Sequence, residues 1–309
     1  MTGGQNGKVK VWEDDGNLTQ TLQSSGFIQC LKILPNGNLI SGSFDSSMVI
    51  WNLTSGEKVF DWPINTAHTS AIFAFEVIDD LTVASASRDS YIKFWNFLNG
   101  SQTKYIKDSA GVSTLLRLQN GSLISGDDSA VGNIRIWELE NGTLLNTLKG
   151  HTNRINALEM ITNEVLASGS QDGWVILWNL LNGQQINKLT RTPASEVWSL
   201  KKLCDNSIAS GYSDHYIYVW SATNQTTSPS IIYPKDHLNI VEALDLLNEN
   251  TLLSGSLDAK IDFWNISSGT LLKSILSDSP IYSLLHYDGN LKNNKLTLSH
   301  PNFLIFKNN

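Results

Sequence analysis

Only two cysteines occur in the 309 residues, Cys30 and Cys204, and they fit neither a disulfide framework nor a metal-ligand spacing. Charged residues are scarce at 17%, and their balance of −7 offers no basic field for nucleic acid or an anionic membrane surface. No apolar run is long enough to span a bilayer, and no signal peptide opens the chain. The expectation is an intracellular, cytoplasmic protein without membrane insertion. Apolar periodicity of the helical kind is also missing over any stretch of about ten residues. Gly3-Gly4-Gln5-Asn6-Gly7-Lys8 has the outline of a phosphate loop, but Val9 stands where Ser or Thr should meet magnesium and no helix pattern follows. The N-x-[ST] triplets at Asn17, Asn52, Asn141, Asn224 and Asn265 read as coincidence in a chain rich in Asn, Ser and Thr.

What the chain does have is tryptophan at a steady interval. Trp12, Trp51, Trp95, Trp137, Trp178, Trp220 and Trp264 are separated by 39, 44, 42, 41, 42 and 44 residues. The residues one and three places before each are apolar, as in Leu177 and Val175 or Phe263 and Ile261, with a variable residue between them. This period-2 alternation, rich in β-branched and aromatic side chains, makes each Trp the end of a strand. Five residues later comes Gly56, Gly100, Gly142, Gly183 or Gly269; six residues earlier comes Asp45, Asp89, Asp172, Asp214 or Asp258. Glycine after Asn suits a tight hairpin turn that needs positive φ. Each unit therefore reads as four antiparallel strands joined by hairpins. A period near 40–45 residues with such strands is that of propeller blades.

The unit resembles the WD repeat of the β-propeller WD family, and the resemblance covers essentially the whole chain. Its Gly-His element is matched by Gly150-His151, with His68 and His237 as partial matches, and its Trp-Asp element has drifted to Trp-Asn at 51, 95, 178 and 264. The resemblance implies an all-β propeller of four-stranded antiparallel blades. It also implies a hydrogen-bonded tetrad of His, Ser, turn Asp and Trp in three units. These are His68, Ser85, Asp89 and Trp95; His151, Ser168, Asp172 and Trp178; and His237, Ser254, Asp258 and Trp264. His, Asp and Ser are the residue types of a hydrolytic triad. A set that recurs three times and satisfies its own polar groups is instead structural, and no G-x-S-x-G turn occurs. The unit ending at Trp220 has lost the pattern: Pro193 falls near the His position, Tyr212 replaces a Ser, and Asn224–Ser230 lacks the usual Gly.

One propeller domain over 1–309 is expected, with six complete repeats over about 27–276 and partial repeats at 1–26 and 277–309. An open ring would leave two strand edges exposed, so the two chain ends are expected to pair and close seven blades. Both ends can offer a third strand, Lys8–Trp12 and Phe303–Phe306, so eight blades with two incomplete is the alternative. The start in mid-unit raises the possibility of a fragment of a longer chain.

Recognition in a propeller belongs to loops on the rim and the channel mouth. The resemblance places variable top-face positions beside the first-strand anchor and before the turn Asp. Those chosen as protein-binding are Phe44, Phe73, Arg88, Arg154, Asn156, Gln171, Trp198 and Tyr282, in a rim that also holds Phe27, Glu196, Glu242 and the Asp127–Asp128 loop. Aromatics beside arginine suit protein contact. The expected function is a non-catalytic interaction scaffold for a protein or peptide, with no cofactor and no metal. The alternatives are a recognition subunit of a ubiquitin-ligase, signalling or trafficking complex, and a propeller enzyme. The last would need a unique acid–base or metal cluster, and His215, His286 and His300 show no ligand spacing.

Overall fold

A computed structural model describes residues 1–13, 16–190, 194–221, 228–287 and 306–307 of the chain. Among the described residues, six sheets are complete blades, numbered 1 to 6 in chain order over 28–62, 72–107, 112–148, 155–189, 197–233 and 241–276, each of four antiparallel strands in simple sequential order. Blade 4 shows the plan: Ile155–Met160, Val165–Ser170, Val175–Asn179 and Gln185–Leu189. Its first strand is almost wholly buried, and its last is exposed or half-buried at all but Leu189. First strands of successive blades pack on one another, so they surround the axis while the last strands form the rim. The period-2 pattern has its cause here, because side chains on both faces of a middle strand meet a neighbouring blade. In blade 4, Ile176 and Trp178 pack towards blade 3, among Leu116, Ile136 and Leu148, whereas Val175 and Leu177 pack towards blade 5, among Leu200 and Trp220.

The hairpins close as their sequences require. Gly56, Gly100, Gly142, Gly183 and Gly269 all have φ between 67° and 75°, where a Cβ would be strained. After the turn Asp, the left-handed position is held by Gly173 in blade 4 but by Ser46, Ser90, His215 and Ala259 elsewhere. Gly4–Gly7 is a turn running into the strand Lys8–Glu13, not the start of a helix.

Among the described residues, six complete blades are found where seven were expected. Thr2–Gly3, Lys8–Glu13 and Leu18–Gln23 form a separate antiparallel sheet. At the carboxyl end, Phe306–Lys307 pairs with Trp12 and Glu13 in parallel, not as an antiparallel third strand; Lys295–Ser299 and Phe303–Ile305 lie outside the described residues. Ile281–Tyr287 forms no ladder. It touches this sheet through Tyr282 N, which donates to Gly3 O over a long 3.4 Å. The separate sheet packs both ways, Val9, Val11 and Leu22 against Leu31, Leu39 and Trp51 of blade 1, and Trp12 against Leu253, Phe263 and Ile281. Lys10 Nζ also reaches Asp278 at 2.5 Å.

Candidate functional site

The three tetrads meet in the same geometry. In blade 4 the Trp178 indole donates to Ser168 Oγ over 2.7 Å, Ser168 Oγ lies 2.7 Å from His151 Nε2, and His151 Nδ1 lies 2.8 Å from Asp172. The corresponding distances are 2.8, 2.7 and 2.8 Å for Trp95, Ser85, His68 and Asp89. For Trp264, Ser254, His237 and Asp258 they are 2.7, 2.7 and 3.1 Å. A neutral ring makes every donor meet an acceptor: indole N–H to Ser, Ser O–H to Nε2, and Nδ1–H to the carboxylate. Burial lowers the His68 pKa, which keeps that ring neutral against the pull of Asp89. Each Asp also accepts an amide from the loop entering the first strand, Thr69, Thr152 or Leu238, and so ties that loop to its turn. Ser85, Ser168 and Ser254 are fully buried, so none presents a nucleophile to a substrate.

Where the His is absent, other residues take its place. Trp137 donates to Ser125, which donates to Asp108 over 3.2 Å, and Arg135 braces Asp108 at 2.9 Å. In blade 5, Trp220 donates to Ser210, and the Tyr218 hydroxyl donates to Asp214 over 3.1 Å. Pro193 and residues 224–227 lie outside the described residues. The Trp12 indole nitrogen is buried with no partner among the described residues. Of the other histidines, His215 sits at the strained turn position and His286 donates its backbone amide to Asp245; His300 lies outside the described residues.

At the end of the blades that carries the turn aspartates, a seam of rings and guanidinium groups crosses several blades. Tyr282 and Phe27 are 4.3 Å apart between ring centres, and Phe27 and Phe44 are 6.0 Å apart. The Arg88 guanidinium then lies 6.0 Å from the Phe44 ring and 5.3 Å from Phe73, and Arg154 lies 4.2 Å from Phe73. Asp128 binds both arginines, at 2.7 Å from Arg88 Nε and 3.1 Å from Arg154 Nη1. Beneath them Glu242 is pushed up to about 8, by burial first, with Arg154 pulling it down and Glu196 pushing it further up. Burial lowers Arg154, against the pull of Asp128 and Glu242.

The expected rim of exposed aromatics is only partly present. Phe44 is 50% exposed, but Phe73 is 5% exposed because the two arginines cover it. Trp198 and Tyr282 are half-buried, and the Trp198 indole donates to Glu196 over 3.1 Å. Asn156 is buried, since its side-chain amide bridges to Val197 O at 2.8 Å in the next blade. Gln171 is half-buried, its backbone amide on Arg154 O. The sequence did not mark Asp128 or Glu242 as the organising carboxylates. The one available signal was the Asp127–Asp128 pair standing where other units have a single turn Asp.

The family model of the WD domain, G-beta repeat, matches residues 16–52 and 142–179. Among curated relatives, the sterol regulatory element-binding protein cleavage-activating protein of Xenopus laevis is 31% identical over 52% of this chain and 12% of its own length. Autophagy-related protein 16 of Arabidopsis thaliana is 26% identical over 72% of this chain and 45% of its own. Ribosome biogenesis protein YTM1 of Saccharomyces cerevisiae is 25% identical over 93% of this chain and 65% of its own. The chain thus spans less than two thirds of the length of each. Of solved structures, the RRP9 WD40 repeats superpose with a TM-score of 0.72 at 21% identity, over 83% of both chains. The designed protein Ika8 gives 0.71 at 26% identity, over 93% of this chain and 87% of that one. Repeat matches over 16–52 and 142–179, repeated tetrads and propeller architecture agree: the chain carries WD repeats in a β-propeller.

Proposed function

We propose that the protein is a non-catalytic scaffold whose turn-aspartate face binds a protein or peptide along the seam from Tyr282 to Arg154. The observation that carries this reading is Phe44, a ring left 50% exposed between Phe27 and Arg88 on a rim where solvation favours polar groups. Aromatic and arginine side chains side by side are the composition of binding hot spots. The buried serines of the tetrads support the absence of catalysis. Both arginines are already paired with Asp128, which favours an apolar or aromatic partner segment at Phe44 over a phosphate. The seam would be completed by a seventh blade, made from the amino-terminal sheet and Ile281–Tyr287 within one domain over 1–309; the Tyr282–Gly3 contact and the shared packing of Trp12 support that closure.

A second reading, a recognition subunit of a larger ubiquitin-ligase, signalling or trafficking assembly inside the cell, is favoured by the lengths of the relatives. Cleavage activation, autophagy and ribosome biogenesis are the roles in their names, so no single pathway carries over. A photo-crosslinking residue placed at Phe44, and another at Ile232 on the outer rim, tests the location. Discrete adducts from Phe44 and none from Ile232 support it; the reverse pattern overturns it.

A further inference from the structure

Four residues beyond the buried residues that open the first strands, Ile28, Ile72, Val112, Ile155, Val197 and Val241, lies a second ring of positions, far from the seam and apolar only at Leu116. Lys32, Glu76, Glu159, Lys201 and Asp245 occupy it, and all five are buried. Lys32 pairs with Glu76 at 2.7 Å, and Lys201 with Asp245 at 2.6 Å. Each carboxylate also accepts an amide, Glu76 from Arg117 N and Glu159 from Lys202 N in the next blade, and Asp245 from His286 N in the segment Ile281–Tyr287. Where the first strands end, a cavity of about 670 Å³ opens, with Arg117, Glu159, Lys201, Lys202, Asp245 and His286 as its polar wall. Its size is that of a small-ligand site.

The charges in this wall are unequal. Lys201 is matched by Asp245. Among the described residues, no carboxylate lies within ion-pair distance of Arg117 or Lys202, and Arg117 Nε is buried with no acceptor. Arg117 as a whole is only half-buried, and a planar oxyanion is the partner that best fits the accessible edge of an unpaired guanidinium. We propose that this cavity is an oxyanion site, in which Arg117 and Lys202 hold a phosphate or carboxylate group of a ligand. The groups facing Glu159 are Lys201 and Lys202 from blade 5 and Asp245 from blade 6, with Arg117 and His286 across the cavity. Burial first, opposed by Lys201, pushes Glu159 up to about 7, so it sheds its charge readily. An arriving anion raises it further, and binding near neutral pH takes up a proton. The site lies at the opposite ends of the first strands from Phe73 and is independent of the proposed partner face.

Titration calorimetry of the full chain with inorganic phosphate, and separately with succinate, tests this in two buffers of different ionisation enthalpy at about pH 7.5. Saturable binding of at least one anion is expected, with net proton uptake that disappears in Glu159→Gln. Arg117→Gln and Lys202→Gln should each weaken it by about tenfold or more, as for loss of a charge-assisted hydrogen bond, while Lys58→Gln, on an exposed outer strand, binds like wild type. Preference for phosphate assigns a phosphorylated small molecule, and preference for succinate an acidic peptide group. Met160→Trp, which fills the cavity from its apolar wall, should abolish binding and serves if a glutamine variant fails to fold. Binding of neither anion, or binding unchanged in folded Arg117→Gln or Met160→Trp, overturns the proposal.

Discussion

Arg154 lies over Phe73, its guanidinium carbon 4.2 Å from the ring centre, and turns an aromatic of the rim into a buried platform. Asp128 fixes that arrangement by holding Arg154 and Arg88 together. Asp128→Asn should therefore cost about 1–3 kcal/mol, nearly all of it through Arg154, since Arg88 is half exposed and its pair is weakened by solvent. Double-mutant cycles from urea unfolding check this: coupling of Asp128 to Arg154 should clearly exceed its coupling to Arg88, which stays below about 1 kcal/mol.

The tetrad makes a separate prediction. Trp178→Ala leaves a large void in the packing between blades 3 and 4 and removes the donor on Ser168, at a cost on the order of 3–5 kcal/mol. Ser168→Ala strands both the indole N–H and His151 Nε2, for about 1–3 kcal/mol. A Trp178→Ala variant with the melting temperature of the parent would remove this role from the tetrad.

These elements were legible in the sequence because they repeat. Seven in-phase tryptophans expose strand alternation, hairpin glycines and the His–Ser–Asp set, each set by local geometry within one blade. The seam was not legible. Asp128 joins loops from three blades, so no spacing announces it, and Phe73 sits on a first strand whose burial depends on arginines 15 and 81 residues away. The Tyr218–Asp214 bond that stands in for a lost histidine was hidden too, because Tyr218 occupies a position that varies freely between units. How the chain ends meet depends on contacts between residues far apart in sequence, such as Tyr282 N on Gly3 O, which period alone leaves open.

Stability should depend on pH through groups displaced in opposite directions. Burial pushes Asp258 up, but the hydrogen bond and charge of His237 and the Leu238 and Lys260 amides outweigh it and hold it at about 2. The unfolded aspartate sits at about 3.9, so the native state binds fewer protons between these values and stability falls as pH drops from about 4 to about 2. Glu242, at about 8, and Glu159, at about 7, are raised above an unfolded value of about 4.3, so their contribution is present below that value and lost as pH rises through neutrality. Glu242→Gln should accordingly melt higher than the parent at about pH 9 and no higher at about pH 5. Calorimetric melting at the two pH values checks this.

Ala259 occupies a left-handed turn position at φ 68°, where blade 4 has Gly173. Ala259→Gly relieves a Cβ conflict of about 1–2 kcal/mol and gives back part of it as chain entropy, for a net gain of about 0.5–1 kcal/mol. The urea midpoint should rise with an unchanged slope.

Affinity purification from the native source, comparing the parent with a variant carrying Phe44→Ala, Arg88→Ala and Trp198→Ala together, tests the proposed scaffold role most directly. A folded triple variant that loses the partners captured by the parent is the predicted result. A folded variant that retains the full set contradicts a binding site on this face.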